Sequence, residues 1–447
     1  MKKIVLSRGK NARNTLAALV LLLFVLAFAG FGELSAFLVR VQFGPALADC
    51  FAAFSAGVLA TVLGIALLTF LFGRVYCSIL CPFGILQDLI AFPLRKRKRL
   101  VPNLPLLRYA IAGVVFGALA AGWAAGLLLL DPYSNFGRII GAFLSGGFVP
   151  LLVIAVLALW KKRIFCTALC PVGTVLGLIA KLSFFRLHFT SRCVKCGRCA
   201  AACPAGCIDP RNGVLDNERC LRCMNCVGAC NFHGLAFSHP ETAETPVDPS
   251  RRAFLLRGGI LVAGLAAGAV LVRTGLSRLA ELPRRFGILP PGAQDAERFA
   301  AKCTSCQLCT ANCPEKIIVP APGGTGPVSL DLNRGACRFN CNLCAQLCPT
   351  GAILPLTLKE KQHTKIAEAK FNPRNCIVFQ EEEECGRCAS VCPVRAITLR
   401  GNGTPRPVNT NLCIGCGACQ AVCPAPEKAM TVHEIEKQIT LPEPVRQ

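Results

Sequence analysis

The sequence predicts an α-helical membrane bundle carrying small α+β domains rich in cysteine, and three observations predict it. Of 447 residues, 53% are hydrophobic and the mean hydropathy is +0.50, too apolar for an ordinary soluble globule. Apolar runs of spanning length recur at about residues 15–32, 50–73, 106–130 and 139–160, with a weaker one at about 253–272. Thirty cysteines fall in tight groups with metal-ligand spacing, which sets aside the disulfide scaffold of a small secreted chain.

Each run is read as a helix, because lipid leaves a single span no other way to satisfy its backbone. The flanking charges orient the runs. Lys2, Lys3, Arg8, Lys10 and Arg13 precede the first, Arg74, Arg95–Arg99 and Arg108 surround the second loop, and Lys161, Lys162 and Arg163 follow the fourth. Those sides are expected to be cytoplasmic. The other loops hold only Arg40 and Arg138 as cations and are expected to face the periplasm. This topology absorbs much of the net charge of +24, so no nucleic-acid partner is expected, although the basic cluster at 95–99 could also touch anionic lipid. No Cys-x-x-Cys-His occurs and all five histidines lie outside the runs, which argues against haem.

The repeats RVYCSILCP and RIFCTALCP divide the first part into two similar halves. The expected organisation is a four-helix transmembrane domain over 1–190, a cytoplasmic two-cluster domain over 191–238, and a linker over 239–252. A fifth helix or signal anchor over 253–273 and a periplasmic four-cluster domain over 274–447 follow.

Cys193, Cys196, Cys199 and Cys203, followed by Pro204, have the ferredoxin spacing. Three thiolates hold one [4Fe–4S] cluster and the fourth ligates its neighbour. Cys220, Cys223, Cys226 and Cys230 form the partner run. The spacing returns at Cys303, Cys306, Cys309 and Cys313 and at Cys413, Cys416, Cys419 and Cys423. It returns with insertions at Cys337, Cys341, Cys344 and Cys348 and at Cys376, Cys385, Cys388 and Cys392, where a three-iron cluster or a vacant site is the alternative. Six runs predict six [4Fe–4S] clusters in bacterial-ferredoxin-like domains. Zinc has no use for the recurrent Cys-Pro. How the four later runs pair is left open.

Cys50 and Cys207 have no spaced partner and are read as ordinary small residues. Cys77 and Cys81, like Cys166 and Cys170, are four apart and share a helix face, with Pro82 or Pro171 ending or kinking the helix. A pseudo-two-fold arrangement would gather the four into a site for iron, zinc or a further cluster; otherwise they pack as small residues.

With these motifs, the first 240 residues resemble NapH-type membrane quinol dehydrogenase subunits and the membrane half of NosR-type proteins. The remainder, from SRRAFL at Ser250 through LPPGAQDAERFAAKCTSCQLC, resembles NapG-type exported ferredoxins with a twin-arginine signal, although Leu256 stands where the signal usually has Lys. The resemblance implies a multi-pass protein of the bacterial inner membrane. It would oxidise menaquinol or ubiquinol from the quinone pool and pass electrons to a periplasmic reductase or multihaem cytochrome. Quinol oxidation needs a proton acceptor, for which Asp49, Asp131 and Tyr133, with Arg138 as a polarising cation, are candidates; as interfacial anchors and loop residues they need no such role. The alternatives are a conduit from a cytoplasmic donor and a maturation or redox-sensing accessory of a reductase.

Overall fold

The computed structural model describes residues 2–52, 56–92, 103–123, 130–144, 149–239, 251–274, 287–321, 327–380, 384–401 and 404–442. They divide into two compact units, Met1–Ala27 with Phe37–Glu281, and Phe28–Ala36 with Leu282–Gln447.

The first unit begins with α1 (Lys2–Phe28); α2 (Gly32–Arg40) is shared between the units. Two similar series follow. One is α3 (Phe43–Ala52), α4 (Ala56–Phe72), the single turn α5 (Tyr76–Ile79) and α6 (Pro82–Ile90). After α7 (Pro105–Ala120), the other is α8 (Pro132–Leu144), α9 (Val149–Lys161), a π-helical turn over Phe165–Leu169 and α10 (Pro171–Lys181). Among the described residues, two helices are long and apolar enough to cross a membrane, Lys10–Phe28 and Leu255–Arg273.

The run at 139–160 holds parts of two described helices, α8 to Leu144 and α9 from Val149, and residues 145–148 lie outside the described residues. Pro82 and Pro171, expected to end or kink a helix, follow turns that end just before them. Each opens the next helix, and Cys81 and Cys170 take extended backbone at the boundary.

A small sheet pairs β1 (Arg186–Phe189) with β4 (Leu235–Ser238). Between them lie α11 (Arg198–Ala202), the hairpin of β2 (Ile208–Asp209) and β3 (Val214–Leu215), and α12 (Asn225–Ala229). This cysteine-rich segment belongs to the same compact unit as the helices. Buried Glu218 pairs with Arg108 and accepts from Tyr109 Oη at 2.5 Å, and Arg222 donates to Ser183 Oγ at 3.0 Å.

The last helix of this unit, α13 (Arg251–Arg273), lies along α7. A side chain on Gly113 would strike the Leu261 carbonyl, one on Gly117 the Leu265 carbonyl, and one on Gly268 the Val114 carbonyl. Numbers rise together along the seam, so the helices run parallel, and small residues four apart on both let the backbones touch. Gly268→Leu is expected to force this seam open at a cost of about 1–3 kcal/mol. The check is a lower unfolding temperature in detergent together with proteolysis of α13; unchanged behaviour of both would contradict the packing.

The second unit is built from short helices and hairpins: α14 (Ala296–Lys302), α15 (Leu308–Asn312), β5 (Ile318–Val319) with β6 (Ser329–Leu330), α16 (Leu343–Leu347) and α17 (Leu358–His363). β7 (Thr364–Phe371) then pairs antiparallel with the distant β8 (Met430–Thr440), around α18 (Ile377–Gln380), α19 (Arg387–Ser390) and α20 (Ala418–Ala421). A core of this unit joins Phe299, Ile317, Val328, Leu330 and Ile353 to Ile366 and Ala367 of β7, and Cys303, Cys309, Cys313, Cys337, Cys344 and Cys348 pack against it.

Candidate metal centres

In four of the six runs the same backbone device aims the first three thiols. The residues on either side of the middle cysteine are both left-handed: Lys195 and Gly197, Arg222 and Met224, Ser305 and Gln307, Gly415 and Gly417. Non-glycine residues seldom adopt this conformation, so its recurrence marks a fixed loop that turns three side chains inward. A short helix then carries the third cysteine.

The fourth cysteine of each run crosses to the neighbouring set. Cys193, Cys196 and Cys199 line a cavity with Cys230; Cys220, Cys223 and Cys226 line one with Cys203. Cys303, Cys306 and Cys309 share a cavity with Cys348, and Cys413, Cys416 and Cys419 share one with Cys392. Cys344 feels the charges of Cys337, Cys341 and Cys313, and Cys388 those of Cys385 and Cys376, with Cys376 and Cys423 packed in one apolar cluster. The later runs are therefore paired in sequence order, 303–313 with 337–348 and 376–392 with 413–423.

The cavities suit a thiolate-held cluster. Their walls are apolar, and backbone amides point at sulfur: Gly234 N donates to Cys230 Sγ at 3.2 Å, Ile353 N to Cys348 Sγ at 3.3 Å and Ala396 N to Cys392 Sγ at 3.2 Å. Burial pushes the thiols of Cys303 and Cys388 up to about 11 and those of Cys223 and Cys419 up to about 12. Metal loading therefore has to expel protons that these thiols hold at neutral pH.

Cys207, expected to be an ordinary small residue, has its Sγ 3.5 Å from Cys203 Sγ and lines the cavity of Cys220, Cys223 and Cys226.

Cys77, Cys81, Cys166 and Cys170 do come together, buried and each electrostatically coupled to others of the group. The two arginines that open the repeats cross over. Arg74 donates to the Cys166 carbonyl at 3.0 Å, Arg163 to the Cys77 carbonyl at 2.8 Å, and the equivalent glycines Gly173 and Gly84 leave the space each guanidinium occupies. This reciprocity is the pseudo-two-fold relation. Arg163 also holds Asp88 through two bonds, at 2.8 and 2.6 Å; Gln87 Nε2 reaches Cys166 Sγ at 3.3 Å and Gly173 N reaches Cys170 Sγ at 3.2 Å. Among the described residues, no three His, Cys, Asp or Glu side chains are placed to hold a single metal ion.

Of the proton-acceptor candidates, Asp131 caps α8 by accepting from Ser134 N at 2.7 Å, and its Oδ1 is buried without a partner beside Gly44. Tyr133 packs edge-on against Phe24, and Arg138 donates to Asn135 Oδ1 at 3.1 Å. The Asp49 side chain lies outside the described residues.

Cysteine cradles of this kind, repeated along one chain, define an iron–sulfur electron-transfer protein of the ferredoxin type with several [4Fe–4S] clusters. The family models agree: a 4Fe-4S binding domain matches residues 54–101 and 143–190, which hold the two Cys-Pro repeats, and a 4Fe-4S dicluster domain matches 302–352 and 383–426. Further 4Fe-4S binding domains match 188–209 and 217–232. The ferredoxin-type protein NapF of Escherichia coli K12 is 35% identical over 31% of this chain and 80% of its own length. The methylamine utilization ferredoxin-type protein MauM of Methylobacillus flagellatus is 30% identical over 39% and 78%, and the ferredoxin-type protein NapG of Haemophilus influenzae is 30% identical over 42% and 72%. The chain belongs to this family of ferredoxin-type proteins. No solved structure matches it.

Proposed function

We propose that the chain is a multi-pass inner-membrane quinol dehydrogenase, a NapH-type membrane part fused to a NapG-type ferredoxin. It conducts electrons through six [4Fe–4S] clusters, on the six cysteine sets described above, to a periplasmic reductase or cytochrome. The observation that carries the topology is the parallel seam of α7 and α13. If residues 95–108 are cytoplasmic, α7 leaves the cytoplasm, and α13 with it, so the chain after residue 273 starts on the periplasmic side. Outward-facing apolar side chains on α1, α4, α9 and α13, among them Leu22, Leu67, Leu152 and Val262, suit lipid.

The four buried thiols at 77, 81, 166 and 170 suit a seventh thiolate-held group, a metal ion or a further cluster. Asp131, with its unpartnered carboxylate oxygen, is the strongest proton acceptor for quinol. The test is anaerobic reduction of the purified protein by a quinol analogue. Bleaching of the cluster absorption by the quinol is expected. Reduction by soluble cytoplasmic donors alone would favour the conduit reading, which the coupling of Arg163 to Cys223 near the membrane thiols also suits.

A further inference from the structure

The run at Cys337 lacks the left-handed pair that shapes the four regular runs: Asn342, after its second cysteine, has φ −129°. Something else has to hold its extra residue. Lys361 Nζ, on a side chain only 3% exposed, donates to the carbonyls of Arg338 at 2.5 Å and Phe339 at 3.1 Å, two of the three residues between Cys337 and Cys341. The third, Asn340, accepts from Gln362 Nε2 at 2.8 Å. Lys361 and Gln362 are neighbours on α17, whose start is locked by a reciprocal cap: Glu360 N donates to Thr357 Oγ1 at 3.2 Å, and Thr357 N to Glu360 Oε2 at 2.7 Å.

The same ammonium faces a second set. Cys337 N donates to the Cys416 carbonyl at 2.8 Å, so the loops of the two modules touch here, and both Cys337 and Cys416 feel the charge of Lys361. Among the described residues, no carboxylate pairs with Lys361. A buried, unpaired ammonium is costly unless an anion compensates it, and four thiolates around iron provide one on either side.

We propose that Lys361 is the positioning residue of the junction between the two dicluster modules. It shapes the wide Cys337–Cys341 loop and stabilises the reduced, more negative state of the clusters on either side. Each hop across the junction moves one electron and no atoms, so a fixed cation there sets how readily both clusters accept it. The inference rests on the six-cluster reading.

The test uses the full chain, purified anaerobically, with iron analysis and redox titration followed by paramagnetic resonance. Lys361→Gln is expected to keep its iron and shift two cluster signals to lower potential; Lys361→Arg and the exposed-site control Lys359→Gln should match the parent. Full iron with every potential unchanged in Lys361→Gln overturns the proposal. If Lys361→Gln loses iron, Lys361→Arg decides: parent iron and potentials support the role, and the same loss overturns it. Low iron in the parent chain would instead be a failure of the six-cluster reading.

Discussion

Cys348→Ala is expected to remove the cluster held by Cys303, Cys306 and Cys309, and to spare the one held by its own run. On the six-cluster reading the loss should be about four of roughly two dozen iron atoms per chain, since each cube carries about four. The reason is the crossover: Cys348 closes the cavity of Phe299, Thr304 and Val328, while Cys337, Cys341 and Cys344 are completed by Cys313. Iron analysis of single and double variants distinguishes the two. Cys309→Ala combined with Cys348→Ala should lose no more iron than either alone, because both empty one site; Cys344→Ala combined with Cys348→Ala should lose twice as much. Additive loss in the first pair would show that the fourth cysteine stays with its own run.

Arg163→Met is expected to destabilise the first unit by about 1.5–3 kcal/mol, the usual worth of hydrogen bonds to a charged group. The guanidinium is fully buried, holds both oxygens of Asp88 and donates to the Cys77 carbonyl, so its loss removes that carbonyl's donor and leaves Asp88 with the longer contact to Arg13 at 3.8 Å. Arg163→Lys should rescue little, because a point ammonium cannot replace the two-pronged fork. Thermal unfolding in detergent provides the measurement, and a midpoint unchanged from the parent would refute the assignment. Arg74→Met should behave similarly through the Cys166 carbonyl.

Much of the cluster region was legible because its chemistry is local. Three thiols within seven residues need only one loop conformation, and a Cys-Pro three residues later marks the exchange with a neighbour. The order of pairing among the four later runs was not legible, since it depends on β7 meeting β8 across about sixty residues and on which loops that pairing brings together. Lys361 lay beyond any motif, 22 and 23 residues past the carbonyls it holds.

The crossed arginines have a consequence for descent. Each half of the duplicated segment supplies a side chain that reads the other half's backbone, and each keeps a glycine vacant to receive it. Neither copy can drift alone: a bulkier residue at position 84 evicts the guanidinium of 163, and one at 173 evicts that of 74. Such a pair, once doubled, is expected to be inherited as one indivisible character, with all four positions retained together or replaced together across its descendants.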